Sequence, residues 1–371
     1  MQLTKIKKFI KNNMVFCIAC IAATVSCFFV PPDGQYPGYI NYSTVCCLFA
    51  TLAVVCALRN IMFFTIVSRK IVKAAGNLRV LAIALVVITF VGSMLIANDM
   101  ALITFLPLGY LALNVTGQEK HAAYIFILQN ISANLGGMVT PFGNPQNLYL
   151  YSAFNIPTGE FTLIMLPPFI LAVTMLILCC LPLKREKLTV DEEIEKPLDK
   201  KKTALYLVLF AASILAVFRV LPYLWVTVAI AAVLLIMDRD ALKAVDYPLL
   251  LTFVMFFIFA GNVSRMEIVH RAVAGLLEKS TLLVSIASCQ LISNVPTAIL
   301  LSKFTENYKE LLLGVNIGGT GTLIASLASL ITYSEYKVLY PNDSKHYMKL
   351  FFLLNLLFLG VLTLASYLFF I

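Results

Sequence analysis

The chain is a succession of long apolar runs broken by short polar segments, and no other feature restricts it as much. The runs lie at about 14–30, 40–58, 80–114, 122–152, 160–183, 203–218, 222–237, 246–263, 280–302, 311–333 and 349–371. Most approach or exceed the roughly 20 residues that carry a helix across a bilayer. In lipid every backbone N–H and C=O must find its partner inside the protein, so only helices and closed barrels span. A barrel would alternate apolar and polar residues over strands of about 10 residues, and no such alternation is legible. The expected fold is an all-α polytopic membrane protein. At 60% hydrophobic and 13% charged residues, the composition excludes a soluble enzyme, a disordered chain and a nucleic-acid-binding domain. The net charge of +9 resides in short loops, where it reports membrane topology.

Charge sets the expected orientation. The run at 14–30 is read as a retained helix rather than a cleaved leader, because the orientation of everything downstream depends on it. With the N-terminus cytoplasmic, and with the runs 80–114 and 280–302 entering and leaving on one side as re-entrant hairpins, 22 of the 28 lysines and arginines fall on the cytoplasmic face. Only Arg219, Arg265, Arg271, Lys279, Lys303 and Lys309 fall outside. The bias fits the positive-inside rule and places the C-terminus outside a plasma (inner) membrane. The mixed-charge stretch 184–202 is expected to be a cytoplasmic linker. It separates a first half (1–183, inner hairpin about 80–114, broken helix about 122–152) from a second (203–371, outer hairpin about 280–302, broken helix about 311–333). Arg59 and Arg219 sit at helix ends and read as snorkelling anchors.

The two halves repeat one another. Asn134-Leu-Gly-Gly-Met-Val-Thr140 recurs as Asn316-Ile-Gly-Gly-Thr-Gly-Thr322, Leu95-Ile-Ala-Asn98-Asp99 as Leu291-Ile-Ser-Asn294-Val295, and Asn41-Tyr42 as Asp246-Tyr247. The order is the same in each: a spanning helix, an amphipathic stretch (about 60–75 and 265–277), a hairpin with an asparagine tip, then a helix carrying NxGGxxT. Under the charge-derived topology the repeats run in opposite directions. Inverted repeats with discontinuous helices are a hallmark of secondary transporters, which bind solute near the midplane between the repeats.

Candidate chemistry gathers at the tips and breaks. Asp99 is the only charged residue between Arg79 and Glu119, and intramembrane carboxylates usually mark ion or proton pathways. Asn98, Ser293 and Asn294 offer polar groups at the tips. Pro296 suits the first turn of a returning half-helix, on which Thr297 also lies, and such a helix start presents free N–H groups to an anion. In Gly136-Gly137-Met-Val-Thr140-Pro141-Phe-Gly143-Asn144-Pro145-Gln146-Asn147, two prolines each remove a helical hydrogen bond. The freed carbonyls with Thr140, Asn144, Gln146 and Asn147 make an oxygen-rich cradle suited to Na⁺ or a polar solute. The second half offers Gly318, Gly319, Thr320, Thr322 and Ser326. The nine cysteines lie in apolar runs as small buried hydrophobes. No metal cluster beyond a Na⁺ site, no organic cofactor, no nucleotide motif and no nucleophile–base pair is legible, so the expected protein is a transporter and not an enzyme.

These segments resemble the ion transporter superfamily of arsenite permeases, sodium–proton antiporters and citrate-transporter-like (SLC13-like) anion permeases. Asn98-Asp99-Met-Ala-Leu-Ile-Thr-Phe-Leu-Pro107 is similar to the first hairpin tip of arsenite permeases, and Ser293-Asn-Val-Pro-Thr-Ala-Ile-Leu300 to the second tip. Thr140-Pro-Phe-Gly-Asn-Pro-Gln-Asn147 resembles a segment of citrate-transporter-like permeases. The resemblance covers roughly residues 40–370 and implies an elevator-type transport domain moving a small anion with Na⁺ or H⁺, by symport or antiport. It implies a homodimer in one branch of the superfamily. Where that superfamily's divalent-anion/sodium branch carries Ser-Asn-Thr tips, this chain has Asn98-Asp99-Met100 and Ser293-Asn294-Val295. A sodium–proton antiporter with Asp99 as the exchanging carboxylate is the nearest rival; a passive channel, a membrane scaffold or sensor, and an intramembrane enzyme follow in that order.

Overall fold

A computed structural model describes residues 13–186 and 198–370. Lys5, Lys7, Lys8 and Lys11 of the charge argument, and most of the expected linker, lie outside the described residues. Among those described the chain is helical throughout and has no strand. The first half contributes α1 (Met14–Phe29), α2 (Tyr42–Asn60), α3 (Phe63–Lys73), α4 (Leu78–Ile96), α5 (Asn98–Val115), α6 (Ala122–Gly136), α7 (Pro145–Ala153) and α8 (Thr158–Cys180). The second contributes α9 (Lys200–Val217), α10 (Tyr223–Met237), α11 (Tyr247–Ser264), α12 (Glu267–Leu277), α13 (Thr281–Ile292), α14 (Asn294–Leu301), α15 (Tyr308–Ile317), α16 (Leu327–Leu339) and α17 (Ser344–Phe370).

Six of the described helical segments are long and apolar enough to cross a bilayer: Tyr42–Asn60, Leu78–Ile96, Glu119–Val139, Thr158–Cys180, Tyr247–Ser264 and Ser344–Phe369. The chain is a multi-pass membrane protein. The span ending at Val139 is almost wholly enclosed by protein, whereas that of α17 is mostly exposed. The broken helix therefore forms the centre, and α8 and α17, which pack together, lie outside it. Exposed apolar side chains such as Phe28, Leu163, Ile236 and Leu353 have lipid as their natural solvent.

The local signals act as the residue chemistry requires. Asn41 and Asp246 cap α2 and α11 by accepting from the backbone N–H groups of Thr44 and Leu249 at 3.0 and 2.9 Å, each satisfying one orphan donor of a helix start. Both amphipathic stretches are short helices, α3 and α12. The sharp turn between α12 and α13 measures 119°. The halves also exchange partners. α1 packs on α11 of the other half, and α10 packs on α2. In the same crossed manner α7 packs on α14, and α16 on α5.

Candidate functional site

Each hairpin breaks at a strained residue. Ala97 (φ 65, ψ 152) separates α4 from α5, and Ser293 (φ 74, ψ 160) separates α13 from α14. This is backbone that only glycine adopts freely, and it costs of order 1–3 kcal/mol per residue. Both residues immediately precede an asparagine, and both asparagines serve the turn identically. Asn98 Oδ1 accepts from the Asp99 N–H at 3.0 Å, and Asn294 Oδ1 accepts from the Val295 N–H at 2.9 Å. Such a strained, matched pair of turns is unlike the smooth crossing an apolar run would make by itself.

The breaks in the central helices match as well. α6 ends in a turn of 3-10 helix at Gly137–Val139, unwinds, and restarts as α7 at Pro145. α15 ends at Ile317, passes through 3-10 turn Leu323–Ala325, and restarts as α16 at Leu327. Thr140 Oγ1 donates to the Met94 carbonyl at 2.9 Å, and Thr322 Oγ1 to the Gln290 carbonyl at 3.2 Å. Met94 and Gln290 lie equally far upstream of Asn98 and Asn294, so one hydrogen bond ties hairpin to broken helix in both halves. Gly136 is required by contact, since a Cβ there would lie 2.3 Å from the Phe90 carbonyl oxygen.

Five buried asparagines join the two breaks. Asn144 Nδ2 donates to the Asn134 carbonyl at 3.2 Å and to Asn316 Oδ1 at 3.4 Å. Asn316 Nδ2 donates to Asn147 Oδ1 at 2.6 Å, and Asn98 Nδ2 donates to Asn134 Oδ1 at 3.3 Å. Asn147 Nδ2 also donates to the carbonyls of Gly137, Met138 and Thr140 at 3.1, 3.2 and 3.3 Å. The open carbonyl cradle expected from the prolines and glycines is thus filled by a side-chain amide. The unwound backbone obeys the rule that every buried carbonyl in a membrane finds a partner, and it does so with protein.

What remains open is a cavity of about 300 Å³ on which both tips converge. Asn98 and Asp99 face it from the first tip, Ser293, Asn294 and Pro296 from the second, and Gln146 from the start of α7. α1 supplies Val15, Ile18 and Ala22 to its wall, and α11 supplies Leu249, Thr252, Phe256 and Phe259. Among the described residues Asp99 is the only charged side chain on this lining. Its Oδ1 and the Oε1 of Gln146 are buried with no hydrogen-bond partner, an arrangement that costs about 1–3 kcal/mol per group, and more for a charge. Two unpartnered oxygens on one cavity suit a proton, an alkali cation or a donor group on a solute.

Other expected site residues lie behind this surface. Thr297 donates to the Ser293 carbonyl at 2.7 Å and stays wholly buried. Ser326 caps α16 through the Ser329 N–H, and Ser329 Oγ accepts from Asn130 Nδ2 at 3.2 Å. Thr320 donates to the Ile317 carbonyl at 2.7 Å. Gly137, Gly143, Gly318 and Gly319 belong to the packed turns. None of these is on the cavity lining.

Three contributions escape the sequence reading. The walls from α1 and α11 are ordinary apolar residues that carry no signal. Gln290 was legible only as an uncharged polar residue where the first half has Met94. Arg219, read as an anchor, also donates to the Tyr151 carbonyl and stacks 4.4 Å from the centre of that ring.

The chain is similar to known transporters. A family model described as citrate transporter matches residues 5–309. An uncharacterized transporter of Methanocaldococcus jannaschii is 34% identical over 296 residues, 79% of this chain and 80% of that protein. The inner membrane protein YbiR of Escherichia coli (strain K12) is 28% identical over 316 residues, 82% of each chain. The silicon efflux transporter LSI3 of Oryza sativa subsp. japonica is 31% identical over 137 residues, 36% of this chain and 28% of that protein.

Proposed function

The chain belongs to the citrate transporter family, and from that premise we propose that it is an ion-coupled secondary transporter for a small anion of the carboxylate or inorganic oxyanion class. The observation that carries this reading is the convergence of both hairpin tips, with two unpartnered oxygens, on one cavity. The starts of α5 and α14, with the amides of Asn98 and Asn294, bind the oxygens of the solute, as helix N-termini favour negative charge. Among the described residues no lysine or arginine lines the cavity. Such a lining suits a solute of low charge, a monoanion or a weak oxyacid. Asp99 and Gln146 hold the coupling ion, H⁺ or Na⁺, and no other cofactor takes part.

The two halves act as inverted repeats, residues 1–183 and 203–371, joined by a cytoplasmic linker at 184–202. The hairpins are re-entrant and move with the broken helices as an elevator against α1, α2, α10 and α11. In the plasma membrane the N-terminus is cytoplasmic and the C-terminus outside. A homodimer through the scaffold helices suits that mechanism.

A second reading is favoured by Asp99 being the only charged residue among those described on the cavity lining: a sodium–proton antiporter in which Asp99 exchanges the two cations. One experiment separates them. The purified protein is melted with arsenite, phosphate, sulfate, succinate or citrate, each with Na⁺ or choline at two pH values. Ligands that bind the folded state raise its stability by mass action. Stabilisation by one anion, strengthened by the coupling ion, supports the symporter. Stabilisation by Na⁺ or acid with every anion inert overturns it in favour of the antiporter.

A further inference from the structure

The two helix breaks solve the same problem with different residues. In the first half the loop carbonyls of Gly137, Met138 and Thr140 surround Asn147 Nδ2. In the second, Gln290 reaches out of the hairpin. Its Nε2 donates to the carbonyls of Gly318 and Thr320 at 2.8 and 3.1 Å, and to that of Ile286 at 3.2 Å. Its Oε1 accepts from the Thr322 N–H at 2.8 Å. The loop is shaped around this head group. Gly321 has φ 116, and a Cβ on it would lie 2.3 Å from Gln290 Oε1. Met94, at the matching place of the first hairpin, has no donor to offer, and Asn147 performs the task from α7.

Three carbonyls converging on one point are an alkali-cation cage in every respect but the occupant. Here the occupant is the positive end of a side-chain amide. We infer that Asn147 and Gln290 are resident plugs that stand in for cations at the two breaks, so that coupling runs through the single site at Asp99 and Gln146. The specificity consequence is direct. The number of ions coupled per cycle is one, because both carbonyl cages are occupied by groups that cannot leave. This deepens the transporter reading and rests on it for the role of Asp99; the plugged cages themselves do not depend on it.

The test exchanges donor for acceptor. Gln290→Glu and Asn147→Asp retain size and the accepting oxygen, but turn the plug's N–H donors into oxygens that face carbonyls. Gln290→Met, which copies the first hairpin, removes the donors without adding charge. Melting temperatures of the purified wild type and variants are measured in Na⁺, K⁺ and choline chloride at equal ionic strength. The expected result is that Gln290→Glu and Asn147→Asp melt well below wild type in choline and recover in Na⁺ or K⁺, saturating with concentration. Gln290→Met melts low in all three salts. A carboxylate variant that matches wild type in choline, or one that no alkali cation restores, overturns the cages. In proteoliposomes the wild type should show a slope of one in the logarithm of uptake rate against that of coupling-ion concentration at low occupancy. A slope of two, with the cation rescue observed, overturns the single-site stoichiometry while leaving the cages standing. If no solute is transported at all, the melting result still decides the plugs.

Discussion

Replacing Asp99 by Asn gives the sharpest test of the site. The exchange keeps the size of the side chain, and it leaves intact the bond from the Asp99 N–H to Asn98 Oδ1 at 3.0 Å. Its packing cost is therefore small. What changes is the charge on a group whose Oδ1 is buried without a partner. The amide still lacks a partner there, but it no longer asks the site to bury a charge, so the exchange carries no electrostatic cost to folding. Asp99→Asn is expected to melt at or above the wild-type temperature, while ion-driven accumulation of solute in proteoliposomes falls to the level of protein-free vesicles. The two readouts move in opposite directions, which a merely structural aspartate does not produce. The reasoning fails if the variant melts well below wild type, or if it still concentrates solute under an ion gradient.

Three further outcomes follow from particular contacts. Gly136→Ala forces a methyl group against the Phe90 carbonyl, 2.3 Å away, and should cost about 1–3 kcal/mol; Gly159→Ala, with nothing within 4 Å, is the control, and comparative melts check both. Arg219→Ala loses the Tyr151 ring contact, worth about 0.5–2 kcal/mol, and keeps the strain of a backbone at φ 62. Arg219→Gly relieves that strain and should melt above Arg219→Ala. Arg265 pairs with Asp33 at 2.8 Å, and its guanidinium, with the Gln35 N–H, holds the Asp33 carboxyl below the usual carboxylate range. A group whose folded pKa is lowered stabilises above its unfolded value, about 3.9, and loses that contribution as pH falls through the folded one. The stability gap between wild type and Arg265→Ala should therefore be flat above about pH 5, close toward pH 3 and shrink with salt.

Much of the site was legible because its signals are local. Asn98, Asp99, Ser293 and Asn294 stand out as polar residues within apolar runs, and the breaks at Ala97 and Ser293 fall beside them. The glycines and prolines of 136–147 announce an unwound helix through steric rules that act over a few residues. The cradle was misjudged for a corresponding reason. That Asn147 would turn its amide onto three carbonyls, and that Gln290 would do so for the other half, depends on which side chain reaches a gap first. No spacing rule encodes that choice. The crossed packing of α1 on α11 and α10 on α2 was equally hidden, since apolar helix faces of similar composition do not name their partners.

The sequence alone determined that the chain is helical and membrane-bound, and that its helices break near Asn98, Asn294 and residues 137–145. These are consequences of hydrophobic burial and backbone sterics, both of which are written along the chain. Only the tertiary structure decided which oxygens are spent and which stay open. The carbonyls of Gly137, Met138, Thr140, Gly318 and Thr320 accept from side-chain amides, while Asp99 Oδ1 and Gln146 Oε1 are left without partners on residues that line a cavity walled by α1 and α11. Hydrogen-bond satisfaction is settled through space, between residues far apart in the chain, and so it is decided only when the helices have packed.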